Sequence, residues 1–242
     1  MSSSISEFLY TKAYQCPVCR HDIEEYTVKQ SRLRFERSEL DLKPVYKGIE
    51  PLFYDVIHCM TCGYAAPLQF FDQIKPRAAQ AIVEHIWPKF KPKHYPAERT
   101  VKDALERYKM ASICAETIDA PASQHGYIAM KMAWMFRIAG HHQMEMEFIK
   151  KAMKHFHEAF MKESFPICGM NEETYSYVIA AFYKLTGDNS EALKWLSKVV
   201  VKRNINPRLK DKALDLKVEI QEELKKAGLS EDGEEGDGQA AL

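Results

Sequence analysis

The sequence lacks a long apolar segment, an excess of either charge and a recognisable targeting segment. No stretch reaches about 18 consecutive apolar residues, so we expect no membrane-spanning helix. Basic and acidic residues number 34 each in 242 residues, so no overall field favours nucleic acid or a membrane surface. The segment Met1–Glu7 has no basic start followed by an apolar run, which predicts that no signal peptide is present. We therefore expect a cytoplasmic protein.

Motifs that assemble common active sites are also missing. The chain contains no Walker loop, no Gly-x-Gly-x-x-Gly, no Gly-x-Ser-x-Gly and no His-Glu-x-x-His. Its nine histidines are scattered; His21 and His58 lie beside cysteines and are alternative metal ligands. These absences predict a protein that is not an enzyme.

Four of the six cysteines form two pairs with the same spacing, Cys16 with Cys19 and Cys59 with Cys62. Two intervening residues let a tight turn bring both sulfur atoms to one metal ion, so each pair supplies two corners of a tetrahedron. We predict a structural Zn²⁺ site formed by all four. Iron in the same sulfur cage and a redox pair are the alternatives.

The residues after each pair differ. Gly63 follows the second pair, where a residue at positive φ lets backbone amides point at the sulfur atoms, but Arg20 stands at that place after the first. Residues 1–75 hold few large aliphatic side chains, which predicts that this module depends on its metal. Cys114 and Cys168 lack partners at ligand spacing and are expected to be small buried side chains.

The pattern along the chain predicts an α+β, mostly α fold. Residues 1–75 form a small β-rich, zinc-ribbon-like module with strands at 26–35 and 53–58, and residues 76–99 form a short helix and a proline-rich linker. Residues 100–228 form an antiparallel helical domain capped at Thr100. Residues 229–242 form an acidic tail that we expect to be disordered.

One helical stretch resembles a tetratricopeptide repeat. Small residues stand where two helices of such a repeat touch closely, and larger ones fill the groove between them. The positions that carry this resemblance are Ile179, Ala180, Tyr183, Gly187, Ala192, Leu193 and Leu196. They predict a tetratricopeptide-like array.

Larger blocks of sequence resemble a bacterial family. Gln15-Cys-Pro-Val-Cys19, Pro51-Leu-Phe-Tyr-Asp-Val-x-x-Cys-x-x-Cys-Gly-Tyr-Ala-Ala66 and Ala133-Trp134-Met-Phe-Arg137 are similar to the proteins grouped as domain of unknown function 2225. The resemblance extends to about residue 225. It implies a zinc-ribbon module joined to tetratricopeptide-like helices in a bacterial cytoplasm, and it supplies no activity.

Three functional hypotheses remain open. The first is a non-enzymatic adaptor that binds a protein partner through the inner face of the helical array, where large side chains serve as anchors. The second is a nucleic-acid-binding protein that uses the basic and aromatic stretches 32–37 and 89–95. The third is an enzyme with a site between the two modules. The candidate partner-binding residues are Tyr127, Lys131, Trp134, Tyr175 and Tyr177.

Overall fold

A computed structural model describes residues 5–202, 205–226 and 228. These residues divide into two compact units, with the boundary between Glu172 and Glu173. The described part of the chain contains six strands and eight α-helices: β1 Leu9–Gln15, β2 Asp22–Val28, β3 Arg34–Ser38, β4 Pro44–Lys47, β5 Val56–His58, β6 Ala65–Pro67, α1 Leu68–Phe71, α2 Pro76–His85, α3 Val101–Thr117, α4 Ala122–Ile138, α5 His142–Lys162, α6 Glu172–Leu185, α7 Asn189–Val200 and α8 Pro207–Lys226. The predicted α+β, mostly α class is confirmed.

The strands form three separate antiparallel hairpins, β1 with β2, β3 with β4, and β5 with β6. In the first hairpin Gln15 pairs with Asp22, and in the third His58 pairs with Ala65. Each cysteine turn is therefore the loop that closes a hairpin, which places both cysteines of a pair at one end of two paired strands.

The predicted strand over 26–35 is not continuous. β2 ends at Val28, a single turn of 3₁₀-helix covers Gln30–Arg32, and β3 starts at Arg34. Leu33 packs beside the buried cluster of Leu9, Val28 and Ile49, and the turn brings it there. β1 has no counterpart among the predicted strands because its side chains are mostly exposed and show little apolar alternation.

The first long helix of the first unit begins at the predicted cap. Helix α3 starts at a capping box, in which the side chain of Thr100 accepts from the amide of Asp103 and the Asp103 carboxylate accepts from the amide of Thr100. Helices α4 and α5 pack along each other, and their short connection makes them antiparallel. Gly126 permits this approach, since a Cβ atom there would lie 2.3 Å from Cδ1 of Phe156.

The unit boundary does not fall in the predicted linker at 76–99. Helix α3 packs against β5 and β6, so the first helices belong to the same unit as the cysteine hairpins. The proline-rich stretch is itself packed, because Phe90 and Tyr95 both contact the ring of His58. The predicted acidic tail 229–242 lies outside the described residues.

The second unit contains α6, α7 and α8, with α7 packed against α8. Ala180, Ala192 and Leu196, three of the repeat-like positions, are completely buried. Asp188 begins α7 by accepting a hydrogen bond from the amide of Glu191. Among the described residues, no helix combines the length and apolar character that crossing a membrane requires.

Candidate metal centre

The two cysteine hairpins bring four sulfur atoms into one cluster. The Sγ atoms of Cys16, Cys19, Cys59 and Cys62 all lie within 4.8 Å of one another. Cys16 Sγ is 3.6 Å from Cys62 Sγ, and Cys19 Sγ is 3.6 Å from Cys59 Sγ. Sulfur atoms about 2.3 Å from a tetrahedral zinc ion would lie about 3.8 Å apart, so the donor set fits a single metal ion.

The thiols are free, and three of the four are completely buried. Only Cys19 is partly exposed. Because the sulfur atoms contact one another, ionisation of one thiol makes ionisation of its neighbour less favourable. Hydrogen bonds from Cys16 and Cys62 lower the pKa of Cys59. The contact with Cys59 raises the pKa of Cys16 to about 12. A divalent cation bound by the four sulfur atoms would remove this conflict, because it would stabilise all four thiolates together.

The same backbone geometry builds both turns. The amide of Arg20 donates to the carbonyl of Cys16, and the amide of Gly63 donates to the carbonyl of Cys59, each at 2.9 Å. Backbone amides of Val18 and Cys19 also donate to the sulfur of Cys16. Such donors stabilise negative charge on sulfur; the sequence predicted them for the second turn, where Gly63 stands.

Arg20 adopts the conformation that was expected of a glycine. Its φ is 64°, close to the 79° of Gly63, so the two turns match despite the different residues. The left-handed conformation costs a residue with a Cβ about 1–2 kcal/mol. The hairpin that encloses the turn imposes this conformation. The first turn therefore has the same backbone geometry as the second, although Arg20 stands where the second turn has glycine.

Gly63 is also confined by its surroundings. A Cβ atom at this position would lie 2.6 Å from Cγ of Phe90. We expect Gly63→Ala to lower the free energy of unfolding of the metal-loaded protein by about 1–3 kcal/mol more than Gly140→Ala does. Gly140 is the matched control because its φ is 73° and nothing lies within 4 Å of the position that a Cβ atom would take there. Equal losses in denaturant titrations would show that the contact with Phe90 costs nothing.

Buried charges join the two hairpins to helix α3. Glu25 on β2 accepts hydrogen bonds from the guanidinium groups of Arg99, at 2.5 Å, and Arg107. Arg107 also donates to the carbonyl of Val56 at 2.6 Å. All three side chains are at most 8% exposed, so this charge cluster is part of the core.

His58 and Cys114 complete the surroundings of the second turn. Burial, followed by the charge of Arg107, lowers the pKa of His58 to about 3, so its ring is neutral at physiological pH. The thiol of Cys114 on α3 donates to the carbonyl of Gly63, and the amide of Ala65 lies 3.3 Å from its sulfur. Burial raises the pKa of Cys114 to about 12. Cys114 is thus a small buried packing residue, as expected, while Cys168 is only half-buried.

The sequence reasoning missed Glu25, Arg99 and Arg107. The available signal for Glu25 was its position two residues after apolar Ile23, on the same face of the strand, and the structure buries both side chains. A carboxylate at an inward position requires a buried partner. No local pattern indicated which cation would supply it.

The candidate partner-binding residues occupy two different environments. In the first unit, the amine of Lys131 lies 4.9 Å from the ring of Tyr127 and 4.5 Å from that of Trp134, and Trp134 donates to buried Asp41 at 2.9 Å. In the second unit, Tyr175 and Tyr177 are 0% and 2% exposed. Burial of Trp134, Tyr175 and Tyr177 counts against a direct role in contacting a partner, and the role of all five stays a prediction.

The Trp134 motif has a structural explanation. Arg137, one turn further along α4, forms ion pairs with Glu39, Asp41 and Glu145 at 2.6–2.7 Å. Trp134 and Arg137 together hold the loop between β3 and β4 against helix α4. This block of the family resemblance therefore serves packing between helix and hairpin.

One known protein family matches most of the chain. Residues 9–220 match the family described as "Uncharacterized protein conserved in bacteria (DUF2225)". The match covers most of the chain, so the chain belongs to this family. Searches of curated proteins and of solved structures found no match.

Proposed function

We propose that this DUF2225 protein is a structural-zinc protein that acts as a non-enzymatic adaptor for a protein partner. The observation that carries the proposal is the four-sulfur cluster. All four corners of a tetrahedron come from cysteine, and three of the sulfur-bearing residues are completely buried. Catalytic zinc sites keep one position for water or substrate, so a complete cysteine set supports a role in folding.

Zinc is the metal that this donor set favours. Four thiolates at tetrahedral spacing are soft ligands, which exclude magnesium and calcium and leave zinc or iron. Zinc requires no redox partner and is the commonest occupant of closed four-cysteine sites. The metal would fasten the two hairpins to each other, while the Glu25 cluster fastens them to α3.

A helical surface supports the adaptor role. Helix α8 buries Leu209, Ala213, Leu216 and Ile220, yet Leu214 and Val218 are 41% and 53% exposed. The two are four residues apart and lie on the same face of the helix. Exposed apolar side chains grouped in this way are suited to a partner with apolar residues at its docking surface.

The test compares three forms of the full chain as bait in a bacterial lysate. We expect one protein to be captured by the wild type and by Lys150→Glu, but not by Leu214→Glu/Val218→Glu. Lys150 is exposed on α5, outside the docking face of α8, and its replacement changes the net charge by the same amount as the double substitution. The captured protein, identified by mass spectrometry, must bind again when both proteins are pure, and equal binding by the double variant would contradict the proposal.

A second candidate, nucleic-acid binding, is favoured by the β3–β4 hairpin. Phe35 is 61% exposed beside Arg34 and Arg37, which are exposed on the same strand. In contrast, the stretch 89–95 is partly occupied, because Phe90 contacts His58 and Lys93 pairs with Glu106. In the same capture experiment, nucleic acid eluting with the wild-type protein would favour this candidate over the adaptor. The nucleic acid should be lost when salt is added and when the bait carries Phe35→Ala.

A further inference from the structure

A cavity of about 330 Å³ lies beside the metal centre in the first unit. Its walls come from β1 and β2, from the second cysteine turn and from residues 93–95. The residues that matter for its chemistry are Glu25, His58, Arg99 and Arg107, all of which line it. The volume is sufficient for a small molecule.

The buried charged side chains in this cavity wall carry one more positive charge than negative charge. Arg99 and Arg107 share the single carboxylate of Glu25, and both arginines are only 2% exposed at the side chain. Burying a charge without a counter-charge is costly, so proteins pair such groups or bind a ligand that pairs them. Within this buried trio one positive charge has no carboxylate partner, whereas the whole cavity lining, with exposed Asp22, Glu24 and Lys93, carries three charges of each sign.

Several polar atoms in the same wall also lack hydrogen-bond partners. They are Nε of Arg99, Nε of Arg107 and both ring nitrogens of His58. His58, Arg99 and Arg107 are only 3%, 6% and 2% exposed, respectively, so all three lie in the buried part of the cavity wall. Buried polar groups in native proteins are nearly always paired, and a group of them in one wall indicates a ligand that supplies the partners.

The outer part of the cavity limits the kind of anion. Asp22 and Glu24 line it and are exposed, which repels a polyanion such as nucleic acid. Lys93, which also lines it, already pairs with Glu106. The uncompensated positive charge is therefore confined to the buried arginines, which suits a small molecule with one anionic group.

Aromatic rings define the rest of the site. The His58 ring packs against Phe90 and Tyr95, with centroids 5.4 and 6.4 Å away. The Arg107 guanidinium lies 5.3 Å from the centroid of the Tyr95 ring. An apolar body on the ligand would contact Tyr95 while its charged end faces the arginines.

We propose that this cavity binds a small molecule through one carboxylate or phosphate group, which pairs with Arg99 and Arg107 while the His58 ring supplies a further hydrogen bond. Guanidinium groups match both anions geometrically, so the chemistry is shared. The site goes beyond the adaptor function and does not depend on it. Ligand binding here would link a metabolite to the junction of β2, the second cysteine turn and α3.

Calorimetric titration of the metal-loaded full chain tests the proposal with three probes of similar shape. Benzoate and phenyl phosphate carry the two anionic groups, and benzamide is the neutral control. We expect one or both anions to bind with a dissociation constant of about 1 mM or lower, and benzamide to bind at least about tenfold more weakly. The tighter anion identifies the group that the site prefers.

Two variants locate the binding. Arg99→Lys keeps a cation beside Glu25 but loses the planar fork, so the dissociation constant should rise about tenfold or more. Thr11→Trp fills the cavity from the exposed strand β1 and leaves the buried charges intact, so it carries the test if Arg99→Lys does not fold. Tyr10→Trp, exposed on the same strand and outside the cavity lining, should bind like the wild type.

Three results would overturn the proposal. The first is no saturable binding of either anion to the metal-loaded protein, which would mean that the negative charge of the cysteine-bound metal already compensates the arginines. The second is equal binding of benzamide and benzoate. The third is unchanged binding in Thr11→Trp, which would place the anion elsewhere.

Discussion

Replacing Cys59 by Ser should leave the purified protein with far less than one metal ion per chain and lower its free energy of unfolding by about 4 kcal/mol or more. Cys59 supplies one corner of the cluster, and its sulfur lies 3.6 Å from that of Cys19. Serine cannot replace a thiolate as a soft ligand, and three remaining cysteines hold the ion weakly. Metal analysis and denaturant titration measure the two effects.

Cys168→Ser is the matched control for this substitution. Cys168 lies outside the cluster, and its thiol donates to the carbonyl of Ser123 at 3.3 Å, a bond that a hydroxyl can keep. The control should retain the metal and most of the stability. If Cys59→Ser binds a full equivalent of zinc and unfolds like the control, the four cysteines do not form a metal site.

Glu25→Gln is expected to cost about 3–5 kcal/mol of folding free energy. The amide keeps the shape of the carboxylate but removes the negative charge that Arg99 and Arg107 share. Two buried guanidinium groups would then lie close together without a counter-charge. Because these groups join β2 to α3, we expect the loss in the metal-loaded protein as well.

Glu24→Gln on the same strand provides the comparison. Glu24 is exposed and has no ion pair among the described residues, so its loss should change the free energy of unfolding by at most about 0.5 kcal/mol. A triple variant with Leu at positions 25, 99 and 107 should recover much of the stability, since apolar residues avoid the desolvation penalty. Similar stability of Glu25→Gln and Glu24→Gln would mean that the buried charge cluster contributes little.

Much of the helical part was predictable because its signals are local. Thr100 and Asp103 stand three residues apart and form the capping box that starts α3. Gly140 ends α4 at positive φ and Gly187 follows α6 in the same conformation, as a glycine after a helix indicates. The prediction of one continuous strand over 26–35 was wrong, because a turn before Leu33 brings this side chain to a cluster formed by residues distant in sequence.

The boundary between units was less predictable. Proline at positions 88, 92 and 96 indicates a break in regular structure, and the structure has that break. We interpreted this break as a domain boundary. The structure instead packs Phe90 and Tyr95 against His58 of β5, and Arg99 against Glu25 of β2. Whether such a segment separates two domains depends on contacts that no local pattern reports.

The sequence by itself determined which four cysteines form the cluster, since the spacing within each pair is a property of a single turn and cysteine is rare enough for both pairs to stand out. Only the tertiary structure decided which buried charges surround them. Glu25 pairs with Arg99 and Arg107 across 74 and 82 residues of chain, and any of the many other cations could have filled that place. The physical reason is that a buried carboxylate is stable only beside a counter-charge, and the path of the folded chain determines which cationic residue lies beside it.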